Sequence, residues 1–319
     1  MEYTKINKLD IEISRVAIGT WAIGGWLWGG TDVKKAFSAI LSGLEKGINI
    51  IDTAPVYGFG LSEEICGRAI KEFGNRDKII IATKLGLEWN NGKVFRNASR
   101  KRILQEIDDS LRRLQTDYID IYQVHWHDAN TASQETAETL LELQEQGKIK
   151  AIGVSNYSVS QMKEFQETAK LDTLQPPYNL FEREIEKDIL PYCKENNINV
   201  LSYGSICRGL LSGKMTEERI FTGDDIRKSD KKFTKYFKSY LNVVNKLNEF
   251  ANKNYSKRVI ELAVRWILDK GVDIALWGIR RPEQLKDIDG VWNWKLDESS
   301  MKEIDIILEP LKAIENENN

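Results

Sequence analysis

The sequence is poor in cysteine and histidine, with three residues of the first and two of the second among 319. The cysteines, Cys66, Cys193 and Cys207, are far apart and form no CxxC pair. An odd number of widely spaced thiols argues against a disulfide framework and is typical of a reducing compartment. A chain of this length buries about three quarters of its unfolded surface, so its fold needs neither disulfides nor a structural metal.

An excess of charge and a long apolar run are also missing. The 46 basic and 48 acidic residues nearly cancel, leaving a formal net charge of −2. Nucleic-acid-binding proteins normally carry a basic stripe, so we expect no nucleic-acid partner. No apolar run approaches the roughly 18 residues of a membrane span, and the first residues lack the apolar core of a signal peptide. We therefore predict a cytoplasmic protein without a membrane partner. The sequence does not indicate its oligomeric state.

Three common catalytic motifs are absent as well. No GxGxxG follows a predicted strand, which argues against a Rossmann-type dinucleotide site. No GxxxxGK[ST] and no GxSxG occur, so nucleotide hydrolysis and acyl transfer lack their usual signatures. Glycine pairs do lie between tryptophans, at Gly24-Gly25 and Gly29-Gly30. This segment could be a loop over a pocket or a surface loop whose tryptophans belong to the core.

A unit of helix followed by strand recurs along the chain. Glycine or asparagine ends an amphipathic helix and precedes a β-branched strand at Gly47, Gly147, Asn197 and Gly271. Within the helical segments, apolar residues recur every three or four positions, as expected of a helix with one buried face. The strand candidates lie near residues 16–20, 48–52, 79–83, 119–125, 149–155, 172–176, 198–203 and 272–278.

Eight strands that alternate with helices predict an α/β protein with a (β/α)8 TIM barrel. Most of the strands are apolar on both faces, as in parallel sheets covered by helices. No linker divides the chain, so we predict a single domain over residues 1–319. Around the barrel we predict an N-terminal hairpin at 3–13, a long polar insertion at 212–255 and a C-terminal helix at 297–315. We expect the tail, 315–319, to be disordered.

A polar or ionisable side chain follows nearly every predicted strand. Functional groups of (β/α)8 barrels lie at the carboxyl ends of the strands. The residues at these ends are Thr20, Trp21, Asp52, Lys84, His125, Ser155, Asn156, Gln175, Tyr203, Ser205 and Arg280. Each alone is well explained as a cap or turn residue, but their coincidence at the ends of eight strands predicts a functional site.

His125 ends an apolar strand and lies two residues before His127. A lone histidine is more often structural, but a position between an apolar strand and a loop favours a functional role. Residues i and i+2 of an extended strand share a face, so the two histidines resemble a metal-ligand pair. A metal would need further ligands, and with no third histidine only Asp and Glu could supply them. We therefore expect no metal.

Five motifs occur in a particular order, one in each of five barrel units. They are Asp52-Thr53-Ala54-Pro55-Val56-Tyr57-Gly58, Ala82-Thr83-Lys84, Gln123-Val124-His125-Trp126, Ile152-Gly153-Val154-Ser155-Asn156 and Gln175-Pro176-Pro177-Tyr178-Asn179. The series resembles the aldo-keto reductase superfamily, and the resemblance runs from about Val16 to Asp287. Residues 202–211 and 274–278 look closest to the bacterial general stress reductases of that superfamily.

The resemblance implies a single barrel that reduces aldehydes or ketones with NADPH, bound without a Rossmann fold. It implies a catalytic tetrad of Asp52, Tyr57, Lys84 and His125, in which Tyr57 is the general acid that protonates the carbonyl oxygen. A free tyrosine has a pKa of about 10, and we expect the Lys84 ammonium, held by Asp52, to lower it. His125 would hydrogen-bond the carbonyl oxygen and orient the substrate.

The resemblance also assigns the nicotinamide end of the cofactor site and the substrate pocket. Ser155, Asn156 and Gln175 would hold the carboxamide, and Tyr203 would stack on the ring. Thr20, Trp21 and Asp52 would line the same pocket. The implied substrate contacts are Trp21, Tyr57, His125 and Trp126.

At the phosphate end, Ser205 and Lys214 would meet the pyrophosphate, and Gly278 and Gln284 the adenosine. Arg280 would contact the 2′-phosphate, because a planar guanidinium suits a dianion. Arg227 and Arg281 are weaker candidates. Lys214 and Arg227 could equally be solvated loop charges.

Two positions depart from the pattern of the superfamily. His127 stands where relatives commonly have proline, and Ile288 stands where many have an asparagine against the adenine. Neither belongs to the tetrad. Two other functions remain open, a redox-sensing NADPH-binding module with slow turnover and a metal-dependent barrel hydrolase that uses His125 and His127.

Overall fold

The computed structural model describes residues 1–316. The strands are β1 (Tyr3–Thr4), β2 (Ile13–Ser14), β3 (Val16–Gly19), β4 (Ile50–Asp52), β5 (Ile80–Leu85), β6 (Leu87–Asn90), β7 (Lys93–Arg96), β8 (Ile119–Val124), β9 (Ile149–Ser155), β10 (Thr173–Gln175), β11 (Asn199–Ser202) and β12 (Ile274–Gly278). The α-helices are α1 (Val33–Glu45), α2 (Leu61–Phe73), α3 (Arg100–Leu114), α4 (Ser133–Glu145), α5 (Val159–Gln166), α6 (Ile189–Glu195), α7 (Phe237–Tyr255), α8 (Val259–Asp269) and α9 (Glu298–Asn316).

Eight of these strands close into a parallel barrel. Around it the order is β3, β4, β5, β8, β9, β10, β11 and β12, and β12 pairs again with β3. All eight carboxyl ends therefore lie at the same end of the barrel, where Gly19 is level with Asp52 and Asp52 with Ala82. The predicted (β/α)8 TIM barrel in a single domain is confirmed.

Apolar side chains pack in two layers, one inside the barrel and one between the strands and the helices. Successive strand residues point to opposite faces. Ile50 and Ile80 accordingly belong to the interior cluster, whereas their neighbours Ile51 and Ile81 pack toward the helices. Because both faces are buried, the strands read as continuous apolar runs in the sequence.

The N-terminal segment closes the amino end of the barrel. Strands β1 and β2 form the predicted hairpin, with Tyr3 paired to Ser14. The side chains of Ile6, Leu9 and Ile13 join the interior cluster of the barrel. Solvent is thus kept from the end of the barrel opposite the predicted site.

The segment 212–255, predicted to be a polar insertion, is only partly irregular. Its second half is α7, whose buried stripe includes Tyr240, Val244 and Leu247. These residues recur at helical spacing and pack the helix against α8 and α9. The prediction was wrong for this half because the many polar residues of α7 lie on its solvent face and obscure the stripe.

The C-terminal part completes the outer layer. After β12, short 3-10 turns at Pro282–Leu285 and Ile288–Val291 pack against α1 and α8, where an eighth barrel helix would lie. Helix α9 matches the predicted C-terminal helix and includes residues 315 and 316, the first two of the tail predicted to be disordered. The rest of that tail, 317–319, lies outside the described residues. No helix within residues 1–316 is both long and apolar enough to cross a membrane.

Candidate active site

A cavity of about 600 Å³ opens at the carboxyl end of the barrel. The predicted site residues that line it are Thr20, Trp21, Asp52, Tyr57, His125, Trp126, Ser155, Asn156, Gln175, Tyr203, Ser205, Arg227, Gly278, Arg280, Arg281 and Gln284. Two predicted residues do not line it. Lys84 is buried beside Asp52, and Lys214 points to Asp287 instead, with 3.4 Å between its ammonium and the carboxylate.

Asp52, at the end of β4, is the centre of a buried polar network. Both its oxygens accept hydrogen bonds from the Lys84 ammonium, at 2.9 and 2.8 Å. Its Oδ1 also accepts from Nε2 of Gln175 at 2.7 Å and, at 3.5 Å, from Nε2 of Gln123. Asp52 is 2% exposed, so these bonds replace the water that its carboxylate loses on burial.

The loop that carries Tyr57 is pressed against the loop that carries Trp21. A Cβ at Gly24 would lie 2.4 Å from the Tyr57 carbonyl carbon, and one at Gly58 would lie 2.2 Å from the Gly24 oxygen. Gly58 also has a φ of +66°, which favours glycine. Only glycine at both positions lets the two backbones meet and fixes Tyr57 at the cavity.

Tyr57 and His125 face each other across the deep end of the cavity. Their ring centroids are 5.8 Å apart with an edge-on angle of 82°, and the Lys84 nitrogen is 5.1 Å from the Tyr57 ring centroid. Burial and the charge of Lys84 lower the pKa of His125 well below 6.5, so the imidazole is neutral at neutral pH.

The pKa of Tyr57 is shifted in the direction opposite to our expectation. Burial, and then the negative charge of Asp52, raise it well above 10. We expected the Lys84 ammonium to lower it, but that charge is neutralised by Asp52 in direct contact. Tyr57 is therefore protonated at neutral pH and able to donate a proton.

A chain of hydrogen bonds connects the residues predicted to hold the nicotinamide. The Tyr203 hydroxyl donates to Oδ1 of Asn156 at 2.9 Å, and Nδ2 of Asn156 donates to the His125 carbonyl oxygen at 3.1 Å. The Ser155 hydroxyl donates to the Gln175 carbonyl oxygen at 2.7 Å. These bonds connect residues at the carboxyl ends of four neighbouring strands and hold the side chains of Ser155, Asn156 and Tyr203 in one arrangement at the cavity wall.

Arginines cluster at the opposite end of the cavity. Arg280 donates to the carbonyl oxygens of Trp28, at 3.1 Å, and of Gly30. Arg227 is buried and makes a two-pronged ion pair with Asp225, at 2.9 and 2.6 Å. It is therefore not a solvated loop charge.

Ile288, one of the two departures from the superfamily's pattern, does not line this cavity. Its side chain is fully buried in the outer core. Gln284 and Arg281 from the preceding turn line the cavity there.

Comparison with known proteins identifies the family. Residues 15–309 match the model of the Aldo/keto reductase family. The chain belongs to the aldo/keto reductase family. Members of this family use NADP(H), and NAD(P)H-dependent carbonyl reduction is general among them.

Individual aldo/keto reductases match over nearly the whole chain. Aldo-keto reductase YhdN of Bacillus subtilis is 57% identical over 311 residues, which cover 97% of this chain and 94% of that protein. The NADH-specific methylglyoxal reductase of Escherichia coli is 34% identical, covering 90% and 92%. The solved structure of the glycerol dehydrogenase AKR11B4 from Gluconobacter oxydans has a TM-score of 0.89 at 50% identity, covering 96% and 94%.

Several residues that line the cavity of this aldo/keto reductase were not predicted from the sequence. Leu87 and Val94 line it from the hairpin of β6 and β7, which was not predicted. The turn Asn91-Gly92 was a usable signal, because this dipeptide is strongly favoured in two-residue hairpin loops. Arg208 and Glu182 also line the cavity. Arg208 belongs to the segment 202–211 that resembles the general stress reductases, but neither residue was predicted to be a site residue.

His125 and His127 do not form a pair in this reductase. The His127 ring packs edge-on against Tyr157, with centroids 5.5 Å apart, whereas His125 faces Tyr57. Over residues 1–316 no three His, Cys, Asp or Glu side chains are grouped as a metal ion would require. The geometry of the two histidines gives the hydrolase alternative no support.

Proposed function

We propose that the protein is an NADPH-dependent reductase of aldehydes or ketones in which Tyr57 is the general acid. The observation that carries the proposal is the placement of Tyr57 and His125 at the deep end of the cavity, directly above the Asp52–Lys84 ion pair. A carbonyl oxygen between the two rings would meet two neutral proton donors.

The cavity suits a dinucleotide with a carboxamide at one end and phosphates at the other. Ser155, Asn156 and Gln175 offer the hydroxyl and amide groups that a carboxamide needs as partners. Tyr203 also lines the cavity, and its hydroxyl lies 2.9 Å from Oδ1 of Asn156. When bound there, NADPH would supply the hydride for the carbonyl carbon.

Tyr57 and His125 would have different roles at the carbonyl oxygen: Tyr57 would donate a proton to it, and His125 would hydrogen-bond to it. Negative charge develops on this oxygen during reduction, and a positioned acid is worth about 10²–10⁴ in rate. Tyr57 is protonated at neutral pH and carries the proton that this oxygen needs; burial and Asp52 raise its pKa, so the transfer depends on the negative charge that develops on the carbonyl oxygen. Neutral His125 can donate its N–H to the same oxygen and hold the substrate in place.

The Asp52–Lys84 ion pair lies against one face of the Tyr57 ring. A lone buried ammonium would lose its proton or destabilise the fold, and burial does lower the pKa of Lys84, although Asp52 opposes this. Paired with Asp52, the ammonium stays near the Tyr57 ring.

The preference for NADPH over NADH is assigned to the arginine cluster. Burial, and then the charge of Arg227, lower the pKa of Arg280; Asp225 opposes this shift and Arg281 adds to it. A phosphate dianion would relieve the repulsion among the arginines. The NADH-specific relative indicates that family membership alone does not decide this preference.

Binding and turnover test the proposal separately. Purified protein is titrated with NADPH while tryptophan fluorescence is followed, and reduction of an aldehyde is followed by NADPH absorbance. Tyr57→Phe should bind NADPH normally and lose at least about 100-fold in turnover, whereas the exposed Tyr3→Phe should lose neither. Full turnover in Tyr57→Phe would exclude Tyr57 as the acid. Tight NADPH binding without turnover of any carbonyl would favour a redox-sensing module.

The compartment is part of the proposal as well. All three cysteines are free and buried, and no pair of them is bonded. Free thiols persist in a reducing environment. We accordingly place the reductase in the cytoplasm.

A further inference from the structure

Ser62, the second residue of α2, connects the loop of the proposed acid with two strand ends of the barrel. Its amide donates to the Tyr57 carbonyl oxygen at 3.1 Å. Its hydroxyl oxygen lies 2.9 Å from Oγ1 of Thr53, directly after β4. The same oxygen lies 2.8 Å from Oγ1 and 3.3 Å from the carbonyl oxygen of Thr20, directly after β3. One side chain thus ties the start of α2 to the carboxyl end of the barrel.

The direction of each hydrogen bond in this chain of hydroxyls follows from its last acceptor. The Thr20 hydroxyl donates to the Asp52 carbonyl oxygen at 2.8 Å, and a carbonyl oxygen can only accept. Since a hydroxyl has one proton, Ser62 must donate its own to Thr20. The Thr53 hydroxyl must then donate to Ser62. The chain therefore runs from Thr53 through Ser62 and Thr20 to Asp52, and the middle hydroxyl is needed by both of its neighbours.

The chain of hydroxyls begins and ends on adjacent residues. Its first donor is Thr53, and its last acceptor is the carbonyl oxygen of Asp52. These two residues also hold the Lys84 ammonium, through the Asp52 carboxylate and the Thr53 carbonyl oxygen. The chain therefore fixes the stretch of backbone that carries every hydrogen-bond acceptor of Lys84, and Ser62 joins this stretch to the backbone of Tyr57.

The chain of hydroxyls is closed to solvent. Thr20, Thr53 and Ser62 are fully buried. Cys66, one turn further along α2, lies within hydrogen-bond reach of all three, and burial raises the pKa of its thiol to about 12. The thiol is therefore uncharged at neutral pH, and a thiol is only a weak donor. If the Ser62 hydroxyl is removed, its two partners lose their bonds and nothing of equal strength replaces them.

We propose that Ser62 is a positioning residue that holds Tyr57 in its place above the Asp52–Lys84 pair. The inference rests on the proposed reductase function and adds to it a residue that does not line the cavity. A proton donor must lie within hydrogen-bond reach of the oxygen that it protonates. A displacement of about 1 Å can cost about 100-fold in rate. The hydroxyl of Ser62 should accordingly affect turnover and leave the binding of cofactor and substrate unchanged.

The experiment measures kcat and KM with NADPH for the best substrate among butanal, benzaldehyde and glyceraldehyde, and the dissociation constant of NADPH by tryptophan fluorescence. Ser62→Ala should lose about 10- to 100-fold in kcat, with KM and the dissociation constant near their wild-type values. Thr53→Val, which removes a hydroxyl at nearly constant shape, should also lower kcat. Thr53→Ser, which restores the hydroxyl, should recover most of that loss. Ser110→Ala, at an equally buried serine of α3 that does not line the cavity, should keep the wild-type kcat.

The controls separate this inference from the proposed function. If the wild type reduces none of the three aldehydes, the reductase proposal fails. If the wild type is active but Ser62→Ala keeps its kcat, or loses no more than Ser110→Ala, only the role of Ser62 is excluded. A higher KM or weaker NADPH binding at unchanged kcat would also overturn it. Urea denaturation shows which variants are folded under the conditions of the assay. If Ser62→Ala is not folded, Thr53→Val and Thr53→Ser decide, and equal rates in these two overturn the proposal.

Discussion

The Lys84 ammonium uses all three of its N–H groups within the barrel, two on Asp52 and one on the carbonyl oxygen of Thr53 at 2.9 Å. None is left for the Tyr57 hydroxyl in this arrangement. Lys84 therefore acts on Tyr57 through its charge, and Asp52 cancels most of that charge. Burial, and then the charge of Asp52, raise the pKa of Tyr57, and the neutralised Lys84 does not offset them.

Replacing Lys84 should destabilise the fold because it leaves the Asp52 carboxylate buried and unpaired. Lys84→Met should lower the free energy of unfolding by about 3–5 kcal/mol, measured by urea denaturation. The double variant Asp52→Asn/Lys84→Met should lose less than the two single variants together. Lys148→Met, which breaks a surface ion pair with Asp108, should cost less than about 1 kcal/mol. Strictly additive losses would mean that the pair is not coupled.

The rate of reduction should be insensitive to pH around neutrality. Tyr57 has a pKa well above 10 and His125 one well below 6.5, so both stay neutral between about pH 7 and 9. At saturating NADPH and aldehyde, kcat should show no inflection in this range. A basic limb centred between pH 7 and 9 would indicate that the Tyr57 pKa is lowered when ligands are bound, as the sequence had suggested.

The barrel and most of its site were predictable from local pattern. Each strand of the barrel is a short apolar run that follows a helix end, and Asp52, His125 and Gln175 directly follow or end such runs. Since parallel strands end on one side, their sequence positions were enough to predict that these side chains converge.

What could not be predicted depends on contacts between distant segments. Lys214 and Arg227 were equivalent as loop charges in the sequence, yet one pairs with Asp287 at the cavity's exterior and the other is buried against Asp225. Pairings of this kind depend on how the loops fold back over the barrel. The sign of the Tyr57 pKa shift was missed for the same reason, because it depends on how deeply the folded chain buries Tyr57 and on how close Asp52 lies to it.

Arg280 should distinguish NADPH from NADH. Arg280→Ala removes a guanidinium that would bind the 2′-phosphate, and a hydrogen bond to a charged group is worth about 1.5–3 kcal/mol, or about 10- to 150-fold. It also removes the bonds to the Trp28 and Gly30 carbonyl oxygens, but that loss affects both cofactors alike. The ratio of the two dissociation constants, from fluorescence titration, is therefore the quantity to measure.

A matched control for Arg280 is Arg258→Ala. Arg258 pairs with Asp287 and does not line the cavity, so the ratio of NADPH to NADH affinity should remain that of the wild type. If Arg280→Ala weakens both cofactors equally, the 2′-phosphate does not contact Arg280, and Arg227 or Arg281 becomes the candidate.

Glu106, which anchors the hairpin through Gly86, should make stability depend on pH. Burial raises its pKa from 4.5 to about 7, although Arg102 and the Gly86 amide oppose the shift. A carboxyl with a raised pKa binds its proton more tightly in the folded state, so its contribution is complete below about pH 4.5 and is lost as pH rises through 7. Unfolding in urea at pH 5 and pH 8 measures this loss.

Glu106→Gln removes the titrating group while keeping its shape. Between pH 5 and 8 the stability of the wild type should fall by about 1–3 kcal/mol relative to this variant. Glu145→Gln, at an exposed position of α4, should follow the wild type at both pH values. If the wild type instead gains stability relative to Glu106→Gln as pH rises, the carboxylate is stabilised by Arg102 and Gly86 more than burial destabilises it. The base of the hairpin would then be held by a charge at neutral pH.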